Sequence, residues 1–173
     1  MMEHLSKLEA WHEFYLLLGS GGAALTGLLF VIVSLGPHLV AEHTQTGVRA
    51  FISPIAVHFT SALVVSALML APDVPVSALG SLLAIGGLGG VVYTAWTRAH
   101  EQWRRSKLSV LDLIWFVGLP FLAYLIILGS GIGIAMRAAF GLYGLAVATV
   151  LLIVIGIRNA WDIVVWVTQQ PRT

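Results

Sequence analysis

The chain has 173 residues, no cysteine, and very little charge: only 10% of its residues are Asp, Glu, Lys or Arg. Without cysteine there is no disulfide framework and no thiol chemistry. A soluble domain carries about 25% charged residues. The shortage here, with 58% hydrophobic residues and a mean hydropathy of +0.93, marks an integral membrane protein. Also missing are an internal repeat, a low-complexity tract and a separate soluble domain. At membrane depth there are no paired carboxylates, no nucleophile–base arrangement and no strong metal motif, so an enzyme is not expected.

The charges fall between long uncharged runs. Residues 14–36, 74–97, 113–136 and 138–157 hold no ionisable group, and residues 50–72 hold only His58. Each is long enough for a helix to cross about 30 Å of hydrocarbon at 1.5 Å per residue. Inside a bilayer every backbone N–H and C=O needs an internal partner, which leaves helices or closed barrels. Barrel strands alternate in polarity over about ten residues. These runs are apolar throughout, which favours helices.

The last two runs are separated only by Arg137, and one helix over 113–157 would reach about 68 Å, twice the bilayer core. The Gly129, Gly131, Gly133 stretch is the expected turn. The expected fold is therefore all-α, a single polytopic bundle of about five transmembrane helices. Its spans are 14–36, 50–72, 74–97, 110–132 and 138–157, with a helical extension over 158–168. The first run lacks a basic leader and its length suits a retained span.

Lysine and arginine set orientation. With five spans, one side receives Lys7 and Arg137. The other receives Arg49, Arg98, Arg104, Arg105, Lys107, Arg158 and Arg172. Seven against two predicts an N-terminus outside and a cytoplasmic C-terminus. The basic loop around Arg104 is explained by orientation and attraction to anionic lipid, with no nucleic acid implied. Leu5, Leu8 and His12 form an amphipathic lead-in with Trp11 near the interface. Ala71-Pro72-Asp73-Val74-Pro75 is a tight hairpin, because two prolines stop the helices on either side.

Small residues predict close helix packing, since lipid supplies no hydrophobic drive between helices. Ser20, Ala23, Gly27 and Ser34 share one face of the first span. Gly86 and Gly90 form a GxxxG in the third, and Gly141, Gly144 and Ala148 recur in the fifth. Such faces pack within a chain or between copies. A homo-oligomer is expected, because one short bundle encloses little volume.

His58 is the sharpest polar residue, on a face with Pro54 and Ser61. An ionisable group at this depth faces protein or a wet cavity. It either hydrogen-bonds a facing hydroxyl or carbonyl, or serves as a proton relay, pore lining or ligand contact. Pro120 predicts a disturbance of its helix at the Phe116 carbonyl, and Tyr124 follows one turn later. Arg158 and Asp162, four apart, predict an ion-paired clasp at the cytoplasmic end. His38, Glu42 and His43 in the first loop are too few for a strong metal signal. Haem finds no support, because only one histidine is deep. No cofactor or metal is expected.

The segment Phe14-Tyr15-Leu16-Leu17-Leu18-Gly19, continuing through Ala23-Ala24-Leu25-Thr26-Gly27-Leu28-Leu29-Phe30-Val31 to Ser34, resembles a group of short bacterial multi-pass membrane proteins of unassigned function. Asn159-Ala160-Trp161 is similar to that group's close. The resemblance implies a bacterial inner membrane and carries no site residue. The functional expectation is an oligomeric channel or transporter for an ion or small solute, lined by His58, Ser61, Pro120 and Tyr124. The alternative is a non-transporting module that binds a partner protein or lipid.

Overall fold

The computed structural model describes residues 11–35, 47–99 and 110–168. Every regular element among them is helical. They are α1 (His12–Leu35), α2 (Gly47–Leu70), α3 (Val76–Ala99), α4 (Val110–Leu113), a π-helical turn (Ile114–Gly118), α5 (Leu119–Ala135) and α6 (Phe140–Thr168). The short α4, the π turn and α5 follow one another as one rod. Five helical stretches are long and apolar enough to cross a membrane. The protein is an all-α, multi-pass membrane bundle. The metal-ligand candidates His38, Glu42 and His43, the basic residues Arg104, Arg105 and Lys107, and the lead-in residues Leu5 and Leu8 lie outside the described residues.

Order along the chain is not order in space. α3 packs most closely on α5, α5 on α6, α6 on α2, and α2 on α1, whereas α2 and α3 barely touch despite the short turn that joins them. Glycine dictates the closest of these approaches. A Cβ on Gly80 would run into the backbone of Ala135 and Gly131. One on Gly131 would meet Ala84 and Gly80, and one on Gly87 would lie 2.5 Å from the Leu128 nitrogen. Gly141 sits 2.8 Å, by the same measure, from both Ile134 N and Ser130 O. Bilayer helices gain cohesion from such contact rather than from expelling water.

The small-residue face of α1 differs from expectation. Its contact with α2 runs through Gly19 and Gly22. Tyr15 is fully buried, a Cβ on Gly19 would lie 2.9 Å from the Ser66 Cβ, and one on Gly22 would lie 3.1 Å from the Phe59 carbonyl. Ser20, Ala23, Gly27 and Ser34 point outward, and Gly27 has nothing near it. The two stripes lie beside each other on one helix. The one with a facing partner that fills its grooves is buried, and spacing alone does not say which that is. Gly86 is likewise exposed with open space at its Cβ, whereas Gly90 is in contact with the Tyr124 ring.

The turn after α5 also corrects the sequence reading. Gly129, Gly131 and Gly133 are helical, and the chain turns at Arg137. Arg137 takes a left-handed φ of 60°. Its N–H donates to the Ile134 carbonyl at 2.9 Å and the Ala138 N–H donates to the Gly133 carbonyl at 2.8 Å. This pair of bonds is a Schellman cap, with arginine where glycine is usual. Of the glycines before it, Gly131 packs against α3 and Gly133 against α6, whereas Gly129 is exposed with open space at its Cβ.

Tryptophan and tyrosine mark both membrane edges. Trp11 and Tyr143 meet edge-to-face, 5.2 Å between centroids, at the end that carries the Ala71–Pro75 and Arg137 turns. Trp96 and Trp161 are exposed at the other end. Tyr143 and Trp161 are eighteen residues apart on α6, or about 27 Å. That matches a hydrocarbon core of about 30 Å with aromatic rings at each face.

Candidate functional site

Three threonine hydroxyls spend their hydrogen bonds within their own helix. Thr26 donates to the Gly22 carbonyl, Thr94 to those of Gly90 and Val91, and Thr149 to that of Leu145, all at 2.7–3.0 Å. Such groups are inert in lipid because they present no spare donor.

The residues of the α2–α5 boundary differ. The Tyr124 hydroxyl lies 2.9 Å from Ser61 Oγ and 3.3 Å from His58 Nδ1. His58 is 1% exposed and Tyr124 is 2% exposed. The three residues form one polar cluster that bridges two helices far apart in sequence. His58 and Ser61 come from adjacent turns of α2. Tyr124 reaches them from α5 because its ring passes through the space that Gly90 leaves open on α3.

Pro120 is buried one turn before Tyr124. Proline has no N–H and its ring crowds the carbonyl four residues back. The helix answers with the π turn directly ahead of it, where the Leu119 N–H donates to the Ile114 carbonyl five residues earlier. The extra residue rotates the following helix and sets the face from which Tyr124 projects.

The cluster borders a cleft of about 360 Å³. This volume falls within the range of ligand pockets, about 300–1,000 Å³. The cleft opens between α2 and α3, where those helices fail to meet, and Tyr124 and Ile127 of α5 form its floor. Its walls include Val57, Val64, Leu82 and Leu83, and its polar lining comes from Thr60, Ser61 and Tyr124. No charged residue lines it among the described residues. Gly86 lines it too, which is why that glycine has no packing partner.

Depth is fixed by the spans. Ser61 stands eight residues after Ser53 and nine before Leu70, and Tyr124 stands ten after Ile114 and eleven before Ala135. Both fall near the middle of their apolar spans.

Arg158 pairs with Asp162 on α6 and lies over the Trp115 ring at 5.9 Å. The ion pair spans one turn, and the cation–π contact ties α6 to the π turn. The spacing of Arg158 and Asp162 makes their pairing legible, but nothing in the sequence points to Trp115. Asn159 beside them is fully buried, and both of its side-chain polar atoms lack a hydrogen bond. Tyr15 Oη, Ser66 Oγ and His58 Nε2 are buried and unbonded as well. Tyr15 and Ser66 carry no sequence signal as polar sites, because each sits in an ordinary apolar run.

No protein-family model, curated protein or solved structure matches the chain.

Proposed function

We propose that this protein is a non-transporting membrane module that takes a long-chain amphiphile from the bilayer into the cleft between α2 and α3. The cleft carries this reading: it is open sideways, apolar over most of its surface, and polar at one place in mid-membrane. A groove at that depth meets acyl chains, not water. Burial of apolar surface gives such a ligand little advantage over surrounding lipid, so selectivity falls to the hydroxyls of Thr60, Ser61 and Tyr124. The membrane is proposed to be a bacterial inner membrane, from the resemblance noted above. The N-terminus is assigned outside and the C-terminus to the cytoplasm, from the seven-to-two distribution of Lys and Arg.

Gly86→Trp tests this reading. The Gly86 Cβ has open space around it and lines the cleft, which gives an indole room to enter. Lipid that co-purifies with the wild type should be depleted from the variant, with the melting temperature kept or raised. Equal lipid retention by both proteins would overturn the assignment.

An oligomeric channel or transporter is the second reading, favoured by one observation. The Ser20, Ala23 and Gly27 face of α1 is unused within the chain and suits contact between copies. A path formed that way would show as solute or proton flux in proteoliposomes, which the binding module lacks.

A further inference from the structure

We infer that the ligand of this cleft is a neutral long-chain lipid whose uncharged head presents one hydrogen-bonding oxygen, a carbonyl or a hydroxyl, to Ser61. The inference rests on the reading of the cleft as a lipid site and adds the chemistry of the occupant.

Charge decides the first half. Ser61 and Tyr124 are at mid-span, about 12–17 Å from either end at 1.5 Å per residue. A phosphate brought there would leave its water, and ion burial costs several kcal/mol even after relaxation. The cleft offers no cation in return, since its described lining is uncharged. Phospholipid headgroups, anionic or zwitterionic, are thereby held at the surface. Their chains can fill the groove, but their heads cannot reach its polar spot. A lipid that engages Ser61 must carry a neutral head able to sink to the middle of the membrane.

Proton accounting decides the second half. Tyr124 has one O–H, and two groups share its oxygen. If Tyr124 donates to His58 Nδ1, Ser61 donates to Tyr124 and keeps lone pairs with which to accept from a ligand hydroxyl. If His58 Nδ1–H donates to Tyr124, Tyr124 donates to Ser61, and the Ser61 O–H is left to donate to a ligand carbonyl. His58 Nε2 makes no bond in either arrangement, so no other contact of the ring fixes its tautomer. The three residues act as a reversible relay that presents Ser61 as donor or as acceptor. Both arrangements serve an uncharged oxygen, and the two heads that exploit them are a quinone-type carbonyl and an isoprenoid-type alcohol.

The test uses the full chain in detergent, with decyl-ubiquinone, farnesol and phosphatidylglycerol as probes, read by native mass spectrometry and thermal shift. The quinone, the alcohol or both should bind one per chain and raise the melting temperature. Ser61→Ala should weaken that binding three- to tenfold, the worth of about one hydrogen bond, and Gly86→Trp should abolish it. The relative affinities of quinone and alcohol identify which arrangement of the relay prevails. Binding of phosphatidylglycerol alone, sensitive to Gly86→Trp but not to Ser61→Ala, would leave the cleft a lipid site and overturn the neutral-head assignment. Neutral-lipid binding unaffected by Ser61→Ala would also overturn it. No probe displaced by Gly86→Trp would sink both readings.

Discussion

Gly90 on α3 leaves the space into which the Tyr124 ring fits: a Cβ at position 90 would coincide with ring atoms. Through that one contact α5 reaches past α3 to α2, where the Tyr124 hydroxyl meets Ser61 and His58. The same ring forms part of the floor of the cleft between α2 and α3. Gly90→Val should therefore displace Tyr124 and cost about 1–3 kcal/mol, the usual range for overpacking. Thermal melting of the purified variant checks the loss. Gly89→Val, one position away in open space, is the control and should melt with the wild type.

The α3–α5 approach through Gly80, Gly87 and Gly131 is backbone against backbone. No side chain there can rotate aside, so Gly131→Leu should destabilise more than Gly90→Val. Gly27→Leu on the outer face of α1 should leave the fold intact. Sizes of the two proteins in detergent then report on assembly: a smaller Gly27→Leu particle places that face between copies, and an unchanged one assigns it to lipid.

The number of helices was legible because lipid demands long uncharged runs, and few arrangements satisfy 10% charge over 173 residues. Their neighbours were not legible. Ser20/Ala23/Gly27 and Gly19/Gly22 are equally plausible packing stripes, and only the partner helix distinguishes them. His58, Ser61, Pro120 and Tyr124 stood out individually as polar groups or breakers in apolar runs. Their meeting depends on Tyr124 of α5 reaching past Gly90 of α3 to α2, which no local pattern encodes. The cleft was invisible for the same reason, being a place where two sequence neighbours fail to touch.

Arg137 supplies a prediction from backbone geometry alone. Its φ of 60° costs an L-residue roughly 1–2 kcal/mol relative to a right-handed conformation. Glycine adopts it freely, whereas a β-branched side chain there is a steric outlier. Both substitutions lose the arginine side chain, so the backbone term shows in their difference: Arg137→Val should melt below Arg137→Gly. If both variants melt alike, the capping geometry assigned to the α5–α6 turn is wrong.

The proposed orientation is tested by fusions. A cytoplasm-active reporter at Thr173, and one inserted between residues 98 and 112, should both be active. A reporter active only outside should work when joined ahead of Trp11. Opposite results at all three positions would reverse the orientation, leaving the bundle as described and the positive-inside argument overturned for this chain.

His58 separates binding from transport. Its Nδ1 contact with Tyr124 and its near-complete burial make it part of the α2–α5 boundary. His58→Ala removes that bond and leaves a cavity, so a loss of about 1–3 kcal/mol is expected. His58→Gln, which keeps a hydrogen-bonding group at similar reach, should recover part of it. For a non-transporting module, wild type, Ala and Gln proteins in liposomes should all pass protons no faster than protein-free vesicles across about pH 5.5 to 8, the range in which an imidazole ordinarily titrates. Melting curves of the same samples show whether each variant is folded when its flux is read. A wild-type flux that changes with pH and disappears in a folded His58→Ala protein would overturn the binding module in favour of a conducting path through this residue.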